Sequence, residues 1–249
     1  DVTVSYANGT AKGPKAIFDA SFQVDLYDPL VENAWKMGIA MDEIDMKIWK
    51  KSKELRKSAE SYIDFIVSGK ESTKNKTMTK ILKSVNQGSE WLNKQVRKKA
   101  THYLLKGKSV ALLGGDHSTP LGLITALSDF YPDFGILQID AHADLRNAYE
   151  GFTYSHASIM YNVLRSQSVS KLVQVGIRDY CEEEVAVMQQ DTRIRTFFDK
   201  DIKHQQYEGK SWSKICDDII SNLPEHVYIS FDIDGLDPKY CPNTGTPVP

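Results

Sequence analysis

Three short stretches of this chain gather acidic and imidazole side chains densely enough to bind metal ions. They are Gly114-Gly115-Asp116-His117, Asp140-Ala141-His142-Ala143-Asp144 and Asp232-Ile233-Asp234-Gly235-Leu236-Asp237-Pro238. Each follows an apolar run, a setting in which a carboxylate is costly unless it is paired or bound to a cation. Two histidines with four or five aspartates form an oxygen-rich, nitrogen-poor donor set. Such a set favours Mn²⁺ over zinc, which prefers more sulfur and imidazole. One His or Asp at a strand end is ordinarily a cap or a surface residue, but DxHxD together with GGDH and DxDG is hard to obtain by accident. His102 lies within an amphipathic stretch, and His204 and His226 sit at segment edges without a motif partner, so surface or structural roles suit them.

The elements that must position these clusters can be read around them. Short apolar runs recur at 109–115 (SVALLGG), 134–140 (FGILQID), 171–177 (KLVQVGI), 194–198 (IRTFF) and 226–234 (HVYISFDID). Helical segments near 118–130, 156–167, 181–190 and 211–222 separate them. Apolar strands alternating with helices predict a mainly parallel central sheet in a three-layer α/β/α arrangement. The carboxyl ends of strands in an open parallel sheet form its ligand-binding edge, so all three clusters can converge there. Upstream, residues 13–24 read as a helix that starts at Gly13-Pro14. The stretches 43–68 and 78–106 read as amphipathic surface helices joined by the polar loop SGKESTKNKT, their lysines forming a solvated face. No internal repeat or low-complexity tract interrupts the chain, so one domain over residues 1–249 is the simplest organisation.

Bulk properties narrow the class. With 249 residues, 41% hydrophobic and 26% charged, the chain has the composition of a soluble globular domain. A formal net charge of -2 gives no reason to expect nucleic acid or an anionic membrane as partner. No apolar run approaches the roughly 20 residues needed to span a bilayer, and no basic segment leads into an apolar one as in a signal peptide. Cys181, Cys216 and Cys241 are odd in number and outside any CxxC pair, which argues against a disulfide framework or zinc ribbon and for a reducing cytoplasm. Cys181 and Cys216 fall on predicted helices and are expected to pack as small apolar groups. The sequence opens on Asp1 without methionine and stops at Pro249 after a turn-rich stretch, so both ends are expected to be cut.

GGDHS, IDAHADLR, YSHAS and SFDIDGLDP resemble the four signature segments of the ureohydrolase family, which includes arginase, agmatinase and formimidoylglutamase. They occur in the family's order, and YANGTAKGPKAI is similar to the family's Gly-Pro helix start near the active site. The resemblance runs from about residue 5 to the last residue. It implies an arginase-like fold and a binuclear manganese hydrolase with two Mn²⁺ per subunit, commonly a trimeric or hexameric homo-oligomer. His117, Asp140, Asp144 and Asp232 would hold one ion, and Asp140, His142, Asp232 and Asp234 the other. Asp140 and Asp232 would thus bridge a pair about 3.5 Å apart, with bound water acidic enough to supply hydroxide near neutral pH. Asp144 would also accept a hydrogen bond from the attacking oxygen. His156, in YSHAS, falls at the family's proton-shuttle position, where an imidazole near its free pKa works in both directions. Asp116 and Asp237 are expected to play supporting roles.

The resemblance implies the reaction more firmly than the substrate. Arginases grip the amino-acid end of arginine partly through an Asn two positions after DxHxD, where this chain has Arg146. They also carry an acidic pair in a GLRDVDP-like turn; GIRDYCEEE keeps Asp179 but has Cys181 at the second acid. DAHADLRNAYEGFTYSHAS is instead similar to the corresponding segment of microbial agmatinases, so agmatine, cleaved to putrescine and urea in polyamine biosynthesis, is the expected substrate. Aminopropylagmatine, arginine and other guanidino or formimino compounds are the alternatives, and Gly235 in DIDGLDP is the form common in arginases. A haloacid-dehalogenase-type phosphatase would place DxDGT near its N-terminus, whereas here Leu236 replaces the Thr and the motif lies close to Pro249. A catalytically silent binding subunit would ordinarily have lost ligands, yet all six and His156 are present. Ureohydrolases continue past a TGTPVP turn to a glutamate that pairs with the guanidinium, so the natural protein is expected to extend beyond residue 249.

Overall fold

A computed structural model describes residues 1–5 and 8–249. Tyr6 and Ala7, at the head of YANGTAKGPKAI, lie outside the described residues. Four of the apolar runs form strands: β1 Phe134–Ile139, β2 Val169–Ile177, β3 Ile194–Phe198 and β4 Val227–Phe231, in the order β3-β2-β1-β4. All their pairings are parallel. Period-two alternation sends Ile136 and Leu172 to one face and Leu137 and Val173 to the other. On the first face lie α4 Leu121–Leu127, α5 Ile159–Val163 and α6 Glu182–Gln190, which bring Ile124, Met160 and Val187 against Ile136 and Leu172. On the second, α7 Asp199–Tyr207 and α8 Trp212–Ile220 bury Ile202, Ile215 and Ile219 against Val173 and Phe197. The result is the three-layer α/β/α arrangement expected from the alternation of runs.

The long helices form a further layer. α2 Met46–Val67 starts where the Asp45 carboxylate accepts the Lys47 and Ile48 N–H groups, and α3 Lys76–Leu104 where Asn75 does the same for Thr77 and Met78. α3 crosses α4 at backbone contact: a Cβ on Gly122 would lie 2.4 Å from the Asn93 carbonyl oxygen. α1 covers Gly13–Ser21, with Pro14 in its first turn as the sequence suggests. Among the described residues no helix is long and apolar enough to cross a membrane.

Two expectations need correction. Residues 109–115 do not form a strand. Val110 and Leu112 pack against Ala100, Leu123, Ala126 and Tyr228, but among the described residues the segment makes no backbone ladder with β4. An apolar run predicts burial, yet here Val110 and Leu112 are only half-buried and Leu113 is exposed. α7 leaves no mark in the sequence pattern, because DKDIKHQQY buries only Ile202 and shows no apolar stripe. Cys181 is also not a helix-interior packing residue: it is the N-cap of α6, where its N–H donates to the Glu184 carboxylate at 3.0 Å.

Candidate metal centre

The strands place the acidic clusters at one edge. Asp140 follows β1 and donates its N–H to Val175 O, and Asp232 follows β4 and donates its N–H to Ile139 O. These bonds continue the ladders one residue past the strands, so both carboxylates emerge side by side. The next turn of chain is held by the Arg178 and Asp179 N–H groups, both donating to Ala141 O. Asp144 adopts a left-handed backbone (φ 55°), a region that non-glycine residues rarely occupy. Its neighbours hold it there: Asp144 O accepts from Met160 and Tyr161 N–H, and Leu145 N–H donates to the buried Glu184 carboxylate at 3.0 Å.

Five of the six expected ligands fall into two overlapping groups, His117–Asp140–Asp144 and Asp140–His142–Asp234, each with its donor atoms within 4.8 Å of one another. His117 Nδ1 lies 2.8 Å from Asp144 Oδ2 and 2.9 Å from Asp140 Oδ2. His142 Nδ1 lies 3.1 Å from Asp234 Oδ2 and 3.6 Å from Asp140 Oδ1. The sixth residue, Asp232, stands at the rim outside both groups, with Oδ2 3.5 Å from His117 Nδ1 and its side chain 26% exposed.

So many buried charges perturb one another. Burial pushes the Asp144 carboxyl up, the Asp140 charge adds to it, and together they outweigh His117, so Asp144 titrates at about 7. Burial likewise raises Asp232 to about 6, against the pull of His117. For the histidines burial acts downward, but the carboxylates win: Asp140 and Asp234 raise His142 to about 11, and Asp140 and Asp144 hold His117 well above its ordinary value. Asp140, although buried, is kept low by both imidazoles.

The donor set fits divalent cations by the way one imidazole is held. His117 Nε2 is engaged by Ser230 Oγ at 2.8 Å, while Nδ1 is buried, faces carboxylates within ion-pair reach and has no hydrogen bond of acceptable geometry. If Nε2–H donates to Ser230, a lone pair on Nδ1 points at anionic oxygens. That arrangement is repulsive unless a proton or cation lies between.

The other candidates surround this core. His156 begins a short 3₁₀ turn, with Nδ1 3.4 Å from Ser155 Oγ and its ring edge-on to Tyr149. Burial lowers its pKa; Asp116 opposes the shift, and the nearby His142 and His117 charges add to it. Asp116 is buried and accepts from Ser118 N–H and Oγ, whereas Asp237 is exposed and pairs with Lys239. Arg146 lies over the Tyr149 ring, 3.9 Å from Glu184 Oε2. His102, His204 and His226 contact Tyr103, Glu208 and Tyr131, away from the cluster.

Sequence reasoning missed the residues that support these groups. Gln138 donates to Asp140 Oδ2 at 2.9 Å and to His142 O at 3.1 Å, and Gln174 donates to Gln138 Oε1 and Ala143 O. Arg178 spends six side-chain hydrogen bonds on main-chain carbonyls, including those of Asp234, Gly235 and Leu236. The available signal was a polar side chain inside an otherwise apolar strand, as in FGILQID and KLVQVGI.

The N(1)-aminopropylagmatine ureohydrolase of Thermus thermophilus is 37% identical over 161 residues, covering 65% of this chain and 52% of that protein. The Synechocystis protein of the same name is 26% identical over 250 residues, covering 100% and 69%. The chain thus spans about half to two thirds of the length of these relatives. The agmatine ureohydrolase structure of Thermoplasma volcanium shares the fold, with a TM-score of 0.68 at 24% identity over 100% of this chain and 69% of that one. The Arginase family profile matches residues 1–249 throughout, and on that match the chain belongs to the arginase family, the ureohydrolases.

Proposed function

We propose that this chain carries the centre of a binuclear manganese hydrolase that cleaves the guanidinium group of agmatine, with water, to putrescine and urea. The observation that carries the reading is the convergence of His117, Asp140, His142, Asp144 and Asp234, with Asp232 at the rim, around an imidazole nitrogen that lacks a hydrogen bond. His117, Asp140, Asp144 and Asp232 would hold one ion, and Asp140, His142, Asp232 and Asp234 the other. When bound, such ions lower the pKa of coordinated water toward neutrality and neutralise the crowded carboxylates. The Asp144 carboxylate accepts a hydrogen bond from the attacking water and turns its lone pair toward the guanidinium carbon. His156, which burial keeps neutral near physiological pH, takes up a proton and delivers it to the departing amine nitrogen.

Agmatine is preferred over arginine because Arg146 and Cys181 occupy the positions at which arginases bind the amino-acid end. Glu184, beside Arg146, is committed to Leu145 and Cys181 N–H. The names of the Thermus and Synechocystis relatives favour a second reading, an aminopropyl derivative of agmatine. On this reading the protein is a homo-oligomer acting in polyamine synthesis, and its free cysteines suit a reducing cytoplasm. Urea release by the full-length protein with Mn²⁺, across agmatine, aminopropylagmatine, arginine and guanidinobutyrate, tests the assignment. A higher kcat/KM for arginine than for either decarboxylated substrate overturns it.

A further inference from the structure

One level of the sheet, directly beneath the metal centre, is polar across all four strands. Thr196 of β3 pairs with Gln174 of β2, Gln174 with Gln138 of β1, and Gln138 with Ser230 of β4. Parallel pairing in register puts all four side chains on the same face, where their neighbours along the strands are core residues such as Ile136 and Leu172. Gln138 and Gln174 are fully buried, and Ser230 is 3% exposed. Buried amides in such a setting are costly unless each donor and acceptor is met, and here they meet one another.

The hydrogen bonds run in one direction. Thr196 Oγ1 donates to Gln174 Oε1 at 2.9 Å, Gln174 Nε2 donates to Gln138 Oε1 at 2.7 Å, and Gln138 Nε2 donates to Asp140 Oδ2 at 2.9 Å. Each amide has a second anchor on the ligand loop: Gln138 Nε2 on His142 O and Gln174 Nε2 on Ala143 O. Flipping either amide would set a carbonyl oxygen against a carbonyl or carboxylate oxygen. Ser230 completes the level by engaging His117 Nε2.

We infer that Thr196, Gln174 and Gln138 form a relay of positioning residues that orients the Asp140 carboxylate and the 142–143 backbone for metal binding. The inference rests on the proposed function. Thr196 is the informative end: it belongs to β3, two strands from Asp140, and acts only through the two glutamines. The Ala143 and His142 carbonyls set which way the two amides point, and the Thr196 hydroxyl meets the Gln174 oxygen left facing it, holding the amide that Gln138 in turn leans on.

The test is Mn²⁺ binding by the full-length protein, measured by competition with a fluorescent chelator, for the parent, Thr196→Val, Gln138→Leu and the double variant. Loss of an outer hydrogen bond to a ligand typically weakens metal binding by about 10–100-fold, so Gln138→Leu should weaken it at least tenfold. Thr196→Val should weaken it on the order of threefold in the parent and have no further effect beside Gln138→Leu, because both break the same chain. Should Gln138→Leu fail to fold, Gln138→Asn, which withdraws the amide by one methylene, replaces it. A Thr196→Val protein that binds manganese as the parent does, or whose effect adds in full to that of Gln138→Leu, overturns the relay. A parent that binds no manganese overturns the proposed function and the relay together.

Discussion

Loading the metal centre should expel protons, and the number follows from the titration of its groups. Near pH 7 the metal-free chain holds a proton on His142, which titrates at about 11, and one on His117, held well above its ordinary value. Asp144, at about 7, is half protonated, and Asp232, at about 6, carries a small fraction more. Metal ligation needs neutral imidazoles and ionised carboxylates, so filling the site near pH 7 should release between about two and three protons per chain. The combined affinity for two ions should then rise by about two to three powers of ten per pH unit. Calorimetric titration of the chelator-treated protein with Mn²⁺, in buffers of different ionisation enthalpy, measures the release directly. Fewer than one proton per chain would refute the assignment of these imidazoles and carboxylates as the ligand set. Stability carries the same sign. The raised His117 and His142 stabilise the fold fully below about 6.5, and that contribution is lost as pH climbs through the folded values. Raised Asp144 and Asp232 stabilise it below about 3.8, and that contribution is lost as pH passes about 6 to 7. The depressed Asp140 acts in the opposite sense, but only below its ordinary value of 3.8. The metal-free protein should therefore melt lower at about pH 8 than at about pH 5, and added manganese should remove or reverse that order.

Further outcomes follow from single side chains. Asp232→Ala should abolish urea release and lower the manganese content measured by mass spectrometry; retention of two ions per chain would show that Asp232 is not a bridging ligand. His156→Ala should slow turnover by about 10²–10⁴-fold with manganese content intact, and a variant as fast as the parent would remove it from proton transfer. Gly122→Ala places a methyl 2.4 Å from Asn93 O and 2.7 Å from Val96 Cβ, so α4 must lift off α3. It should cost about 1–3 kcal/mol in denaturant unfolding, and an unchanged midpoint would contradict that close crossing.

The parts of the site readable from sequence are those whose chemistry demands a residue type. Asp140 and Asp232 stood out because a carboxylate at the end of an apolar run needs a partner, and both do emerge at the carboxyl edge of the sheet. The strand assignments succeeded where an apolar run also found a ladder, as in FGILQI, and failed at SVALLGG, whose Val110 and Leu112 are half-buried by side-chain packing without one. Helix α7 stayed hidden because one isoleucine is too little to mark an amphipathic face. The polar level was illegible for a different reason. Gln138 and Gln174 are separated by 35 residues of intervening chain, and their partnership depends on a β1–β2 register that local sequence does not carry. Glu184 escaped notice as one of three consecutive glutamates, distinguished only by being the buried one.

The left-handed backbone at Asp144 narrows the evolutionary choices at that position. Besides glycine, asparagine and aspartate are the residues that such a conformation admits with least strain. Asparagine or glycine could take over the turn, and with Asp140 only 0.1 Å farther from the same imidazole nitrogen, either would relieve crowding among buried acids. Either change would keep the turn and discard the carboxylate, and with it one of the two carboxylates nearest His117 Nδ1. Glutamate is a poor substitute, since it offers the charge but not the backbone preference. Aspartate thus joins a backbone preference to a charge, a combination that neither asparagine nor glutamate supplies.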